Sequence, residues 1–190
     1  DYVKDRYEGN TIISGPPGVG KSHLAVGIAK TLNESFQMLQ ARKSVVYMPT
    51  MELFSRIQEA FQYKDSKWEQ RSVVKFLQNV DFLILDDLGK ESSVGNEIRQ
   101  GNNWMQKILY QILENRTNTI ITTNFEGKHL KELYEQSLVD RITKGNMKTN
   151  AFKFSKDTAS RRSLSASDYW GTQAGYWAVR EPILRTINLA

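Results

Sequence analysis

With 190 residues, no cysteine and two histidines, the chain is long enough for one α/β domain with a substantial core. This composition excludes a disulfide scaffold and metal sites built from cysteine or from several histidines, and no apolar run approaches a membrane-spanning length, so we expect a cytoplasmic protein with no membrane partner. The 26 Lys and Arg residues outnumber the 21 Asp and Glu residues, and the location of this +5 excess matters more than its size.

The first predicted strand leads into a glycine-rich loop. Residues 11–14, TIIS, read as a short buried strand, and the following GPPGVGKS matches G-x-x-x-x-G-K-[ST] at every fixed position. Apolar residues then recur at helical spacing from Leu24 to Leu32, which predicts a helix beginning near Lys21. A strand, a loop and a helix in this order cradle phosphate with backbone N–H groups and with the positive end of the helix dipole.

This loop predicts a site for ATP or ADP together with Mg²⁺. Lys21 should reach the β- and γ-phosphates as a compact cation, and the Ser22 hydroxyl should bind Mg²⁺. The residues predicted to bind the nucleotide form one continuous run: Gly15, Pro16, Pro17, Gly18, Val19, Gly20, Lys21, Ser22 and His23.

A second strand over residues 44–48 precedes an amphipathic helix. Thr50 is predicted to cap this helix, and Phe54, Ile57 and Phe61 recur at a spacing that favours a core-facing side.

The segment that follows, residues 61–75, interleaves aromatic residues with four basic and two acidic ones. Such segments contact the backbone of single-stranded nucleic acid and stack its bases, so Lys64, Lys67 and Arg71 are candidate contacts for single-stranded DNA. A solvated helix face explains these three charges at least as well.

Two acidic residues follow the next apolar run. Residues 82–85 predict a central strand with Asp86 and Asp87 at its C-terminal end, where ligands bind in parallel α/β sheets. Asp86 is placed to hold Mg²⁺ through water, and Asp87 is placed to act as the general base toward an attacking water. Because Asp is one methylene shorter than Glu, Asp87 must lie closer to that water or support slow hydrolysis.

A further buried strand is predicted over residues 119–123 and is followed by Asn124. Its amide is placed to hydrogen-bond the γ-phosphate or the attacking water and so to sense the bound nucleotide. Thr-Asn after a strand is ordinary turn chemistry on its own. The prediction gains weight from the order of phosphate loop, acidic strand end and polar strand end.

Most of the positive charge lies near the C-terminal end. Residues 141–162 contain seven basic residues and one acidic residue, a net charge of +6, so the remainder of the chain carries −1. Localised positive charge is typical of surfaces that bind nucleotide phosphates or nucleic acid. A solvated basic face is an equally good interpretation of the charge alone.

Four segments together resemble the AAA+ ATPases of the DnaC/DnaI helicase-loader and IstB group: GPPGVGKSHLA, FLILDDLGK, TIITTN and LVDRI. The resemblance implies an α/β P-loop NTPase fold with a five-stranded parallel sheet in the order 5-1-4-3-2 and helices on both faces. It also implies an AAA+ domain over residues 1–162, a tail over residues 163–190 without an assigned role, and a native N-terminal partner-binding domain that precedes this chain.

The resemblance further implies roles for two arginine regions. LVDRI is similar to the family segment that carries an arginine finger, so Arg141 is expected to reach the γ-phosphate held by a neighbouring subunit. A surface arginine on a helix is the alternative. Arg161 or Arg162 is expected to serve as a second sensor of the nucleotide, and we take Arg161 as the nucleotide-binding candidate.

As a function, the resemblance implies loading of a hexameric DnaB-type replicative helicase onto single-stranded DNA, with slow Mg²⁺-dependent ATP hydrolysis. It implies self-association into an ATP-bridged spiral and a helicase contact mainly through the N-terminal domain. Two alternatives stay open at this point. One is an IstB-like transposition ATPase, and the other is a non-hydrolysing adapter for which ATP is only an assembly ligand.

Overall fold

The computed structural model describes residues 9–63, 66–94, 97–98, 102–116, 118–145, 150–155 and 157–158. Its strands, in chain order, are β1 (Thr11–Ser14), β2 (Val45–Pro49), β3 (Phe82–Leu88), β4 (Ser93–Val94), β5 (Glu97–Ile98), β6 (Thr119–Thr123) and β7 (Ala151–Lys153). Five of them form a parallel sheet in the order β2-β3-β6-β1-β7, while β4 and β5 form a separate antiparallel pair.

The order of the five parallel strands is the predicted one. Counted along the chain, the strands of this sheet read 2-3-4-1-5 from one edge, which is 5-1-4-3-2 from the other. The predicted α/β class and P-loop fold are therefore confirmed. Because all five strands are parallel, their carboxyl ends lie at one edge of the sheet, where such folds bind ligands.

Helices cover both faces of the sheet, as predicted. They are α1 (Lys21–Met38), α2 (Thr50–Ala60), α3 (Gln70–Asn79), α4 (Asn103–Leu113), α5 (Gly127–Leu133) and α6 (Gln136–Ile142), with a 3₁₀ turn at Lys90–Ser92. Helix α1 packs on one face, and α2 to α6 contribute to a larger apolar core on the other. Within the described ranges, no helix is both long enough and apolar enough to cross a membrane.

The strand residues alternate between these two cores. Ile12 and Ile121 belong to the larger core, whereas Ile13 and Ile120 pack against α1. Successive side chains of a strand point to opposite faces, so a strand covered on both sides needs an almost continuous apolar run. This requirement explains why the short apolar runs in the sequence predicted the central strands.

Two predictions for the second helix are wrong. Thr50 is the first residue of α2 rather than its cap, and its buried hydroxyl donates to the carbonyl oxygens of Asp86 and Asp87, at 3.3 and 3.1 Å. Phe61 is 65% exposed because α2 ends at Ala60, and its ring lies 5.8 Å from that of Trp104. Phe54 and Ile57 are buried, as predicted.

Strand β3 is longer than predicted, since it continues from Phe82 through both acidic residues to Leu88. Asp86 and Asp87 therefore lie within the strand, near the C-terminal end where they were predicted. The register of β3 against β6 shifts between Leu85 and Leu88, which marks a β-bulge at the two acids.

Arg116 joins the C-terminal end of α3 to the start of β6. It is only 5% exposed, and its guanidinium donates to the carbonyl oxygens of Leu77 (2.7 Å) and Val80 (2.6 Å) and to the Thr119 hydroxyl (3.2 Å). The last carbonyls of a helix lack partners within the helix, so these bonds satisfy groups that would otherwise be buried unpaired. Burial lowers the pKa of Arg116 to about 10, against the opposing effect of the Asp81 charge.

We expect Arg116→Met to lower the free energy of unfolding by about 3 kcal/mol, because several buried carbonyl groups lose a charged donor. Urea denaturation followed by circular dichroism measures this loss. Arg42→Met is the control, since Arg42 is exposed and its replacement should change stability by less than about 0.5 kcal/mol. A loss below about 1 kcal/mol for Arg116→Met would contradict the structural role of this arginine.

Candidate nucleotide-binding site

The three predicted site segments meet at one edge of the sheet. Strand β6 lies between β1 and β3, and Thr123 of β6 pairs with Ser14 of β1 on one side and with Leu88 of β3 on the other. The glycine-rich loop after β1, the acids of β3 and Asn124 after β6 are therefore neighbours across three adjacent strand ends.

The loop between β1 and α1 requires glycine at two positions for different reasons. Gly20, the N-cap of α1, has φ +99°, a conformation that residues with a Cβ rarely adopt. A Cβ at Gly15 would lie 2.6 Å from the Cβ of Phe154, just beyond β7. The Gly20 cap makes no side-chain hydrogen bond, and the first turn of α1 carries no acidic residue, so the helix N-terminus suits an anionic group.

Lys21 places a buried positive charge inside this loop. It is 5% exposed, and its ammonium donates to the carbonyl oxygens of Gly15 (2.9 Å) and Pro16 (2.7 Å). Burying an ammonium is costly unless it is hydrogen-bonded or paired with an opposite charge. The loop carbonyls supply the first condition and a phosphate would supply the second, so the loop fits the predicted ligand.

The other predicted loop residues differ in exposure. Val19 is buried, Ser22 is partly buried, and Pro17 and His23 are exposed. The part of each residue in nucleotide binding stays a prediction.

Asp86 is held by the two strands that flank β3. It is 4% exposed; its Oδ1 accepts a hydrogen bond from the Thr122 hydroxyl (2.5 Å) and its Oδ2 accepts one from the Tyr47 hydroxyl (2.6 Å). These two contacts fix the plane of the carboxylate, and each oxygen keeps further acceptor capacity. A carboxylate and the Ser22 hydroxyl are hard oxygen ligands of the kind that Mg²⁺ takes, so the donor set fits the predicted metal.

Asp87 has a left-handed backbone conformation, with φ +58°. Its N–H donates to the Thr122 hydroxyl (2.9 Å), its carbonyl accepts from the Thr50 hydroxyl (3.1 Å), and its carboxylate lies 3.3 Å from the ammonium of Lys90. Positive φ is uncommon outside glycine, and such residues persist where the surrounding contacts enforce them. The predicted general base is therefore also a point of local backbone strain.

Asn124 follows the last residue of β6 and is exposed. The preceding Thr123 ties this strand end to β3, since its hydroxyl donates to the Leu88 carbonyl (2.7 Å) and accepts from the Phe125 N–H (3.1 Å). The end of β6 that precedes the predicted sensor Asn124 is thus fixed beside the acidic residues of β3. Its contact with a phosphate stays a prediction.

Arg141, in α6, lies against its own domain. Its Nη2 donates to the Tyr110 hydroxyl (3.3 Å), and its guanidinium carbon lies 5.4 Å from the centroid of the Tyr110 ring. Its buried Nε atom has no hydrogen-bond partner within the described part of the chain. The predicted contact with a neighbouring subunit remains a prediction.

The remaining predicted residues divide into two groups. Lys67 lies in the turn before α3 and Arg71 is the second residue of that helix, and both are exposed. Lys64, Arg161, Arg162 and the tail over residues 163–190 lie outside the described residues. Contacts with DNA and the second sensor therefore stay predictions.

A third acidic residue, Glu91, lies near the site and was not predicted. It belongs to the 3₁₀ turn after β3; its Oε1 accepts a hydrogen bond from the Tyr134 hydroxyl, and its Oε2 accepts from the Gly89 N–H at 3.0 Å. Burial raises the pKa of this carboxyl above its ordinary value of 4.5, although these bonds and one from Thr50 act in the opposite direction. The acid four residues after Asp87 was visible in the sequence, but nothing in the sequence indicated its contacts with Gly89 and Tyr134.

A comparison with models of protein families shows which family this chain belongs to. Residues 1–149 match the family described as IstB-like ATP binding protein. The chain belongs to this ATP-binding family. This match confirms the predicted resemblance to the IstB and DnaC/DnaI group of AAA+ ATPases.

Solved structures with the same fold include proteins of replication initiation. Domain III of the replication initiation protein DnaA from Thermotoga maritima has a TM-score of 0.56 at 18% identity, covering 80% of this chain and 57% of that one. The replication initiator DnaA bound to AMPPCP and single-stranded DNA has a TM-score of 0.58 at 15% identity, covering 98% and 57%. DnaI has a TM-score of 0.53 at 21% identity, covering 80% and 78%.

At these identities the structural matches show the AAA+ P-loop fold. The chain spans 57% of the length of each of these two DnaA structures. No curated protein matches the sequence.

We expect Lys21→Ala to weaken binding of a fluorescent ATP analogue at least about 30-fold, because a buried charged donor to phosphate is lost. Fluorescence titration in the presence of Mg²⁺ measures the affinity. Lys30→Ala is the matched control, since Lys30 is an exposed lysine of the same helix and its loss should leave binding unchanged. Equal affinities for the two variants would contradict the assignment of the loop.

Proposed function

We propose that this chain is the ATPase domain of a DNA-replication factor that loads a hexameric helicase onto single-stranded DNA. The observation that carries this proposal is that three residues lie at the same edge of the sheet. They are Lys21 in the glycine-rich loop, Asp86 with both carboxylate oxygens hydrogen-bonded, and Asp87 at the β-bulge. Membership of an ATP-binding family supports the nucleotide, and the fold shared with DnaI over 78% of that chain supports a loader.

In this proposal, each residue at the edge has one task. Lys21 and the loop amides bind the β- and γ-phosphates, and Ser22 and Asp86 hold Mg²⁺, which neutralises phosphate charge. Asp87 orients the attacking water and accepts its proton, and Asn124 contacts the γ-phosphate or that water. Because the backbone of Asp87 is fixed by Thr50 and Thr122, the reach of its short side chain limits the rate.

Assembly completes the proposed site. Arg141 leaves Tyr110 and contacts the γ-phosphate held by a neighbouring subunit. A cation–π contact at a partly exposed site contributes about 0.5–1 kcal/mol, less than charge-assisted hydrogen bonds to a phosphate. The exchange is therefore favourable, and a head-to-tail contact of this kind builds a ring or an open spiral.

The DNA contact in this proposal involves Lys67 and Arg71. Lys67, in the turn before α3, and Arg71, in its first turn, are both exposed, and the exposed Phe61 precedes them in the sequence. Backbone contacts of this type weaken steeply with salt, which gives the interaction a simple signature.

A second candidate is a transposition ATPase that uses the same core to mark target DNA. It is favoured by the description of the matching family as IstB-like. The two candidates share the nucleotide site and differ in the partner that the assembled ATPase delivers.

The trans role of Arg141 predicts complementation between two inactive variants. Lys21→Ala keeps the arginine but loses the phosphate grip, and Arg141→Ala keeps the grip but loses the arginine. Each alone should hydrolyse ATP at least about 100-fold more slowly than the wild type under assembling conditions, and an equimolar mixture should regain part of the activity.

Phosphate release with DNA and Mg²⁺ present measures the rates. Arg141→Lys should behave as Arg141→Ala does, because an ammonium lacks the planar fork of a guanidinium. No recovery in the mixture, with both variants still assembled, would contradict a site shared between subunits.

The loader function predicts a complex with a helicase. The full-length protein and the replicative helicase of its host should form a stoichiometric complex in ATP and Mg²⁺, seen as a defined mass by light scattering. This complex should place the helicase on circular single-stranded DNA, and Lys21→Ala should fail to do so. Absence of a complex with every nucleotide, together with a complex with a transposase, would replace the loader by the transposition ATPase.

A further inference from the structure

We propose that Tyr134 and Glu91 are positioning residues for Asp87, and that their hydrogen bond ties the acidic end of β3 to the start of α6. The proposal rests on the ATP hydrolysis proposed above. It assigns a task to two residues that do not touch the reacting groups themselves.

The first step is the strain at Asp87. A non-glycine residue with φ +58° persists when its neighbours over-determine it. Thr122 holds the N–H of Asp87 and Thr50 holds its carbonyl, so both backbone groups of the residue are constrained. The turn that follows must have a fixed shape as well, since Asp87 is continuous with it.

The second step is the turn formed by residues 89–91. The carboxylate of Glu91 reaches back to the N–H of Gly89 at 3.0 Å and lies 3.4 Å from the hydroxyl of Thr50, which also contacts Asp87. On its other side the turn packs closely on Phe125, because a Cβ at Gly89 would lie 2.6 Å from that ring. Glu91 therefore closes the turn that begins two residues after Asp87.

The third step is the hydroxyl of Tyr134. This residue is 3% exposed and caps the C-terminal end of α5, where its N–H donates to the Leu130 carbonyl. Its hydroxyl donates to the Glu91 oxygen that is not used by Gly89. Glu91 is half-buried, so the tyrosine supplies a hydrogen bond to an oxygen that is only partly open to water.

The fourth step leads to α6. The next residue, Glu135, is the N-cap of α6, and its N–H donates to the side-chain oxygen of Gln106 at 2.8 Å. Tyr134 therefore stands between the acidic turn and the helix that carries Arg141. One hydrogen bond connects the segment of the proposed general base with the segment of the proposed arginine finger.

A purely structural role for the same bond makes a different prediction. It would lower the stability of a variant without changing the turnover of the folded protein. A positioning role lowers kcat and leaves nucleotide affinity intact, because the phosphate loop lies after β1 and Lys21 is held there by loop carbonyls.

The test is ATP hydrolysis by the full chain with Mg²⁺ and single-stranded DNA, the assembling conditions used for the Arg141 variants. Tyr134→Phe should lower kcat about 10-fold, while KM and the affinity for a fluorescent ADP analogue change less than two-fold. Glu91→Met should lower kcat at least as much, because it also removes the acceptor of the Gly89 N–H. The double variant should be no slower than Glu91→Met, because both changes break the same bond between Tyr134 and Glu91.

Two further variants separate positioning from folding. Glu91→Gln should keep at least half of kcat, since its oxygen can accept from Gly89 and its amide can donate to the Tyr134 oxygen. Val73→Ala shortens a buried side chain of α3, a helix that carries none of the proposed catalytic residues. It should lower thermal stability without lowering kcat.

The outcomes are distinct. If the wild type hydrolyses ATP and the kcat of Tyr134→Phe is within two-fold of the wild-type kcat, the positioning role is overturned and the proposed ATPase stays intact. A wild type no faster than Lys21→Ala overturns the ATPase and the positioning role together. If Tyr134→Phe does not fold, equal kcat for Glu91→Gln and Glu91→Met overturns the proposal.

Discussion

The arrangement of both acidic residues depends on one hydroxyl group, that of Thr122. It donates its proton to the carboxylate of Asp86 and accepts the N–H of Asp87, so it uses its donor and one of its two acceptor positions at the site. These contacts require β6 to lie beside β3 with the register that the bulge creates. A sheet order that separated these two strands would leave a buried carboxylate without this partner.

The bulge interrupts the regular alternation of side-chain directions along β3. In a regular strand, successive side chains point to opposite faces, so neighbouring acids would be divided between the α1 face and the larger core. Tyr47, which contacts Asp86, packs with the α1 core, whereas Tyr134 belongs to the larger core. A bulge with a left-handed residue re-aims its side chain, which is a common feature beside active sites. The proposed task of Asp87 requires such a change of direction, because Asp87 must face the same ligand as Asp86 although it is the next residue along the strand.

The features that could be predicted from the sequence are those formed by residues close together in the chain. The phosphate loop is a contiguous motif, and the paired isoleucines of β1 and β6 follow directly from burial on both faces. The strand order came from the family resemblance. The contacts that shape the site escaped prediction because they join distant positions: Tyr47 and Asp86 are 39 residues apart, and Glu91 and Tyr134 are 43 apart. Thr50 failed as a predicted cap for the same reason, since its hydroxyl bonds across the sheet to β3.

The two groups proposed to act on the γ-phosphate share a physical property. Asp87 and Arg141 have backbone groups held by buried side chains, Thr122 and Asn10 among them, while their charged ends make only weak contacts. The ion pair of Asp87 with the exposed Lys90 contributes about 0–1 kcal/mol. In the proposed function, a phosphate and a neighbouring subunit supply stronger partners for these charged ends. Hydrolysis then follows assembly in this proposal, and bound ATP holds the subunits together until it is hydrolysed.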